Sequence, residues 1–210
     1  MTKEKESKQE VVARYRTEAI LAATRKVITE SGPEFTLDRV AEVAGVAKGT
    51  LYLYFPSKDE LVFTVLKDDI TWLLGKTREA LESDAPLLER MRRMVRDQFT
   101  FVIANRNIFL YYRARMSGSE HAARKDFQCR MREEYEQFID LMTSYFEKAM
   151  EGGEIRRLEP RKLARIFSGT VDSVLADYII GNQETPIDEE VDFVIDVVLH
   201  GVVNKKGEME

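Results

Sequence analysis

This sequence has few of the side chains that metal and nucleophile chemistry requires. A single cysteine, Cys129, in 210 residues excludes an intrachain disulfide and any cysteine-rich zinc cluster. The lone thiol is compatible with a reducing compartment, and it is expected to be a buried or half-buried packing residue. His121 and His200 stand apart, neither at metal-ligand spacing nor beside a nucleophile motif, and read as surface side chains. No metal and no cofactor are expected. Long apolar runs are absent too: the stretch 191–203 is broken by Asp192 and Asp196 and falls short of the ~20 residues that cross a bilayer. Residues 1–10 alternate Lys and Glu without the apolar segment of a secretory signal. The expectation is a cytoplasmic protein with no membrane association. Also missing is any Val/Ile/Thr-rich alternating run bounded by hairpin residues, which argues against β-sheet.

The composition, 44% hydrophobic and 33% charged, is that of a chain that folds. Apolar residues recur three and four apart in every long segment, which predicts an all-α fold. The predicted helices cover 11–31, 37–44, 47–54, 57–81, 86–104, 108–116, 120–150, 160–180 and 188–203, with frayed ends at 1–10 and 204–210. The net charge of −5 is unevenly spread. Residues 1–60 hold ten Lys/Arg against ten Asp/Glu, so the whole negative excess lies in the remainder.

The segment 36–61 carries the most information. Thr36 is placed to cap a short helix in which Leu37, Val40 and Ala41 share one face. Gly45 supplies a left-handed residue for a tight turn, Val46 is positioned to bury between the helices it separates, and a third helix begins at once. Pro56 stops that helix, and Ser57 caps the next. Three short helices in this arrangement form a helix-turn-helix. The run Thr36-Leu37-Asp38-Arg39-Val40-Ala41-Glu42-Val43-Ala44-Gly45-Val46-Ala47-Lys48-Gly49-Thr50-Leu51-Tyr52-Leu53-Tyr54-Phe55-Pro56-Ser57-Lys58-Asp59-Glu60-Leu61 resembles the DNA-binding signature of the TetR (tetracycline-repressor) family.

A major groove admits one helix, whose first residues reach base edges while its neighbours meet phosphates. Lys48 is placed for a phosphate or guanine, Gly49 for close approach, and Thr50 for a base edge or thymine methyl. Tyr52 and Tyr54 offer hydroxyls, Thr36 and Lys58 suit phosphates, and Leu51 and Phe55 face inward as core. The family often has Ser or Thr where this chain has Ala47, so the cap and phosphate contact of that side chain are missing here. In isolation, Lys48 and Lys58 would be solvated charges and the two tyrosines core aromatics; the surrounding motif favours DNA.

The resemblance implies a reader domain at 1–56, with a flexible N-terminal ~10 residues, and a helical ligand-binding and dimerisation domain at 57–210. It also implies a homodimeric repressor, bound to a palindromic operator in double-stranded DNA and released by a small-molecule inducer. Apolar stripes on the last two helices, through Leu163, Phe167, Val171, Val174, Tyr178, Val191, Val194, Ile195 and Val198, are candidates for a four-helix interface, unless they are intramolecular core. Gly169 would permit close helix approach. Among the middle helices, Trp72, Phe101, Tyr112 and Met116 are candidates for an inducer cavity, with Arg113 or Arg115 for an anionic head group, which suggests a hydrophobic or amphipathic ligand.

Rival readings have less support. The stretch Gly45-Val46-Ala47-Lys48-Gly49-Thr50 has the wrong order for a phosphate loop and no preceding strand. Glu133, Glu134 and Glu136 read as a charged helix face rather than a metal site. No enzyme is indicated. A helical protein-interaction module would leave the Lys48/Tyr52/Tyr54/Lys58 pattern unexplained, and nothing in the motif separates repressor from activator or co-regulator.

Overall fold

The computed structural model describes residues 7–117, 122–181 and 185–201. Every regular element among them is helical: α1 Lys8–Ser31, a 3-10 turn Gly32–Glu34, α2 Leu37–Ala44, α3 Lys48–Tyr54, α4 Lys58–Leu81, α5 Leu87–Ala104, α6 Arg106–Met116, α7 Ala122–Glu151, α8 Pro160–Ile180 and α9 Ile187–His200. No helix among the described residues is long and apolar enough to cross a membrane. The largest departure from the sequence-based boundaries at the start of the chain is α1, which begins inside the segment expected to fray. Ser7 Oγ accepts from the Glu10 N–H (3.2 Å), and the Glu10 carboxylate accepts from the Ser7 N–H (2.7 Å). This reciprocal box satisfies two orphan donors and sets the helix start three residues earlier than the apolar stripe suggests. Residues 1–6 and 204–210, like His121, lie outside the described residues.

The chain divides into two compact units, one from residues 1–69 and 105–131, the other from 70–104 and 132–210. Helices α4 and α7 each contribute residues to both. In the first unit, α1 packs on α2 and α6, and α2 on α3. Ile20, Val27 and Ile28 of α1, Val40 and Ala41 of α2, and Leu51 of α3 are buried. Arg25 pairs with Asp69 and also donates to the Val65 carbonyl (3.2 Å). Burial pushes the Asp69 carboxyl up, and Arg25 partly offsets it.

Helix α2 ends in a turn that only one backbone shape allows. Gly45 has φ +66° and ψ +31°, its N–H reaches the Glu42 carbonyl (3.1 Å), and the Val46 N–H reaches the Ala41 carbonyl (3.0 Å). These two bonds satisfy helix-end carbonyls and swing the chain into α3. Val46 is half-buried there.

The start of α4 is held from two sides. Asp59 accepts hydrogen bonds from the Tyr111 hydroxyl (2.7 Å) and from Arg115 Nε (2.8 Å), both on α6. Glu60 pairs with Arg130 on α7, whose guanidinium lies 3.6 Å from the Phe63 ring centre. Phe63 meets Phe127 edge to face, with centroids 6.4 Å apart. Burial, then the Asp59 hydrogen bond, pushes the Tyr111 hydroxyl far up, so it remains a donor at neutral pH. The Arg130 hydrogen bond holds the Glu60 carboxyl below its usual range.

In the second unit α5 packs on α8 and α9, and α8 on α9. Phe99 lies 6.1 Å from Tyr178, and Phe146 packs edge to face on Phe167 at 6.0 Å. Arg92–Asp192 (2.8 Å) and Arg96–Asp188 (2.7 Å) bridge α5 to α9. Exposed pairs of this kind contribute about 0–1 kcal/mol each, so the apolar contacts dominate. Two side chains differ from expectation. Glu134 is buried, with Gln137 Nε2 donating to it at 2.7 Å, because it follows Met131 by three residues on the inward face of α7. Cys129 is exposed, because it falls between the buried Phe127 and Met131 on the opposite side of the helix.

Two substitutions test this construction. Open space surrounds Gly45, so Gly45→Ala acts through backbone strain alone; chemical denaturation should show a loss of about 1–2 kcal/mol. Arg115→Ala leaves the Asp59 carboxylate with one donor, and a loss of about 2–3 kcal/mol is expected, below the range for fully buried pairs because Arg115 is partly solvated. A loss under about 0.5 kcal/mol would mean the pair is of surface type.

Candidate functional site

A helix of seven residues cannot persist alone, so α3 is formed by what it buries. Ala47 takes the cap position in extended conformation and makes no side-chain cap bond. The missing cap costs about 0.5–2 kcal/mol, whereas burying Leu51 and Phe55 contributes about 1.5–3 kcal/mol each, so packing wins. With that face inward, Lys48, Gly49 and Tyr52 are exposed, and Thr50 and Tyr54 half-buried. Thr36 is exposed, with its hydroxyl accepting from the Arg39 N–H (3.3 Å) at the start of α2. The sequence-derived reader residues are therefore brought to one short helix and its immediate flanks.

Sequence reasoning missed Leu53, which is 84% exposed on α3. Its signal was spacing: it follows the exposed Gly49 by four residues and lies two from the buried Leu51, which puts it on the outer side of the helix. A leucine in this position forgoes its burial free energy in the free protein and offers an apolar surface beside the polar ones.

The three cations between Thr36 and Lys58 are all engaged. Lys48 Nζ lies 2.6 Å from Asp38 Oδ1, and Arg39 Nη1 lies 2.7 Å from Glu42 Oε2. Lys58 has inward partners that its sequence position did not suggest. Its Nζ donates to the carbonyls of Phe35 (2.7 Å) and Pro33 (3.1 Å) and sits 4.1 Å from the Phe35 ring centre. A cation in the first turn of α4 faces the unfavourable end of the helix dipole, and these carbonyls and the ring compensate it. Burial lowers the Lys58 ammonium from its ordinary value. Two of its three N–H groups are used, and one remains.

The ligand candidates fall in different units. Trp72 and Phe101 belong to the second, where their rings stack at 4.8 Å with 26° between planes. Tyr112, Arg113 and Met116 belong to the first, with Arg113 exposed and Tyr112 and Met116 half-buried. Arg115 is committed to Asp59.

The dimer candidates separate by burial. Phe167, Val171, Val191, Val194 and Ile195 are covered within the chain itself, whereas Leu163, Val174, Tyr178 and Val198 are half-buried. Packing α8 against α9 and α5 uses the strongest part of each stripe. The large apolar side chains left outside are Ile166 (62% exposed) and Ile180 (69%) on α8, and Phe193 (56%) on α9. Ile166 continues the predicted stripe of α8, whereas Ile180 and Phe193 lie outside the predicted stripes. Gly169 is exposed, and a Cβ built there would meet nothing within 4 Å.

Comparison with known proteins agrees with this geometry. Residues 20–65 match the family described as bacterial regulatory proteins, tetR family. The "Fatty acid metabolism regulator protein" of Bacillus subtilis (strain 168) is 21% identical over 188 residues, 89% of this chain and 95% of its own length. Two solved structures share the fold at 20% identity. The fatty acid degradation regulator FadR from Bacillus halodurans superposes with a TM-score of 0.76, covering 95% of this chain and 98% of its own. The transcriptional regulator FadR from Bacillus subtilis, in complex with stearoyl-CoA, also gives 0.76, covering 89% and 99%. The match over 20–65 contains the α2–Gly45–α3 turn and the exposed face of α3, and with it the chain belongs to the tetR family of bacterial regulatory proteins, as a DNA-binding transcription regulator rather than an enzyme.

Proposed function

We propose that this chain is a cytoplasmic, homodimeric repressor that binds a palindromic operator and is released by an amphipathic ligand of the long-chain acyl-CoA class. The observation that carries the DNA half is the exposed face of α3, where Lys48, Gly49, Tyr52 and Leu53 stand clear of the core that holds the helix. In this reading residues 1–56 read DNA and 57–210 sense and dimerise. Lys48 meets a guanine or phosphate, Gly49 lets the backbone approach, and Thr50 and Leu53 meet thymine methyls. Tyr52 and Tyr54 bond phosphate or base edges, Thr36 and the backbone at Ala47 meet phosphates, and Lys58 uses its remaining N–H in the same way. Two readers in successive major grooves require half-sites about 34–36 Å apart, which a two-fold dimer supplies.

The dimer reading rests on Ile166, Ile180 and Phe193, exposed apolar side chains on α8 and α9, with Gly169 between the two isoleucines offering close approach. Leu163, Val174, Tyr178 and Val198 border the same face in part. The ligand class is taken from the relatives: one is named for fatty acid metabolism and another is bound to stearoyl-CoA. Trp72, Phe101, Tyr112, Arg113 and Met116 remain the proposed ligand residues. Release then follows from linkage: a ligand that binds better to a conformer with mismatched readers lowers DNA affinity by the same factor that DNA lowers its own.

Fluorescence anisotropy against fragments of the source genome, followed by footprinting, should select a palindromic duplex. Stearoyl-CoA should release it, and Lys48→Ala and Tyr52→Ala should each weaken it by about 1–3 kcal/mol. Selective DNA binding untouched by stearoyl-CoA would overturn the ligand class alone. In sedimentation, the protein should be a dimer at micromolar concentration and Phe193→Glu should shift it towards monomer; a wild-type monomer would remove the dimer.

A further inference from the structure

From Thr36 to Lys58 the chain has three cations, Arg39, Lys48 and Lys58, and each is occupied inside the protein. They are occupied in different ways. Arg39 pairs with Glu42 one turn along its own helix, and Lys58 is half-buried on backbone carbonyls. Lys48 instead reaches from the first turn of α3 across to Asp38 in the first turn of α2, and both side chains remain more than half exposed. A fixed carboxylate therefore stands beside the leading residue of the helix that enters the groove. Exposed pairs add little to folding stability, so this one is weakly accounted for by the fold.

We infer that Asp38 is a specificity-determining residue of the DNA reader, restraining Lys48 so that affinity for arbitrary phosphate backbone falls more than affinity for the operator. The inference rests on the DNA-reading function above. Non-specific binding is supplied by cations that find any phosphate, and residues 1–60 have no net positive charge to spend on it. An ammonium has three N–H groups; with one on Asp38, the others point in a limited set of directions. At the correct register a base edge or phosphate lies in one of those directions, and Lys48 binds it without leaving Asp38. On an arbitrary duplex Lys48 must swing away, and the released carboxylate then faces phosphates of its own sign. Asp38 also holds the Lys48 ammonium above its ordinary titration range, so the cation it restrains stays fully charged.

The test uses the full chain, Asp38→Asn, Asp38→Ser as a second neutral variant, Lys48→Ala, and the double variant Asp38→Asn/Lys48→Ala, with far-UV circular dichroism to confirm equal helicity. Each is titrated by anisotropy at several salt concentrations with the footprinted operator and with a scrambled duplex of equal length and composition. Both neutral variants should bind the scrambled duplex about two- to fivefold more tightly and steepen its salt dependence by up to about 0.9 in log–log slope. Operator affinity should change by less than about twofold, so the ratio of the two affinities falls. Most of the gain should vanish in the Lys48→Ala background. Equal tightening on both duplexes, weaker operator binding, or a gain that survives Lys48→Ala would each overturn the inference. A wild-type protein that cannot tell the operator from the scrambled duplex would overturn the DNA-reading function itself; a selective wild type with an unchanged ratio in Asp38→Asn overturns only the role of Asp38.

Discussion

Burial of Leu51 and Phe55 is the constraint on which the reader depends. Seven residues form too few internal hydrogen bonds to offset the cost of nucleating a helix, and α3 lacks a side-chain cap at Ala47. Its helicity is supplied by the core of the first unit, where Leu51 and Phe55 are buried and α3 packs on α2. The same burial decides which side of α3 is presented. With residues 51 and 55 inside, residues 49 and 53 fall on the opposite face, because a helix places residues two apart on different faces, and the long side chains of Lys48 and Tyr52 lie at the edge and reach solvent. Stability and recognition are thus two sides of one short element. The turn at Gly45 sets its direction, and the Asp59 and Glu60 pairs hold the chain that leaves it.

Electrostatics act on a smaller scale. The first sixty residues are balanced in charge, and from Thr36 to Lys58 the three positive side chains are already engaged by carboxylates, carbonyls and a ring. This stretch therefore presents no open positive surface, only cations that already have protein partners. In the proposed function, a regulator built this way gives up non-specific attraction, and its selectivity rests on geometry at α3.

Helical boundaries were largely legible because they are local. Periodicity, Gly45, Pro56 and the cap residues act within a few positions of themselves, and the elements from α2 to α9 fall close to where those signals put them. The start of α1 was misplaced because Ser7 and Glu10 cap a turn that carries no apolar residue, so periodicity had nothing to register there. Cys129 and Glu134 were misread for a related reason. Residue type suggested one inward and the other outward, while the phase of α7, set by Phe127 and Met131, requires the reverse.

By itself the sequence determined the all-α class, the helix-turn-helix with its left-handed glycine, and the inward pair Leu51 and Phe55, since each follows from spacing and backbone chemistry within one or two turns. Tertiary structure alone decided where long side chains go and which apolar faces remain uncovered. Lys58 turns to the Pro33 and Phe35 carbonyls, and Lys48 to Asp38, because a flexible cation takes whichever acceptor the fold brings within reach. Phe167, Val171 and Val191 are consumed inside the chain while Ile166, Ile180 and Phe193 stay outside, although all six sit in equally apolar helices. Periodicity shows that a helix has an apolar face; which neighbour covers it depends on contacts between residues far apart in sequence.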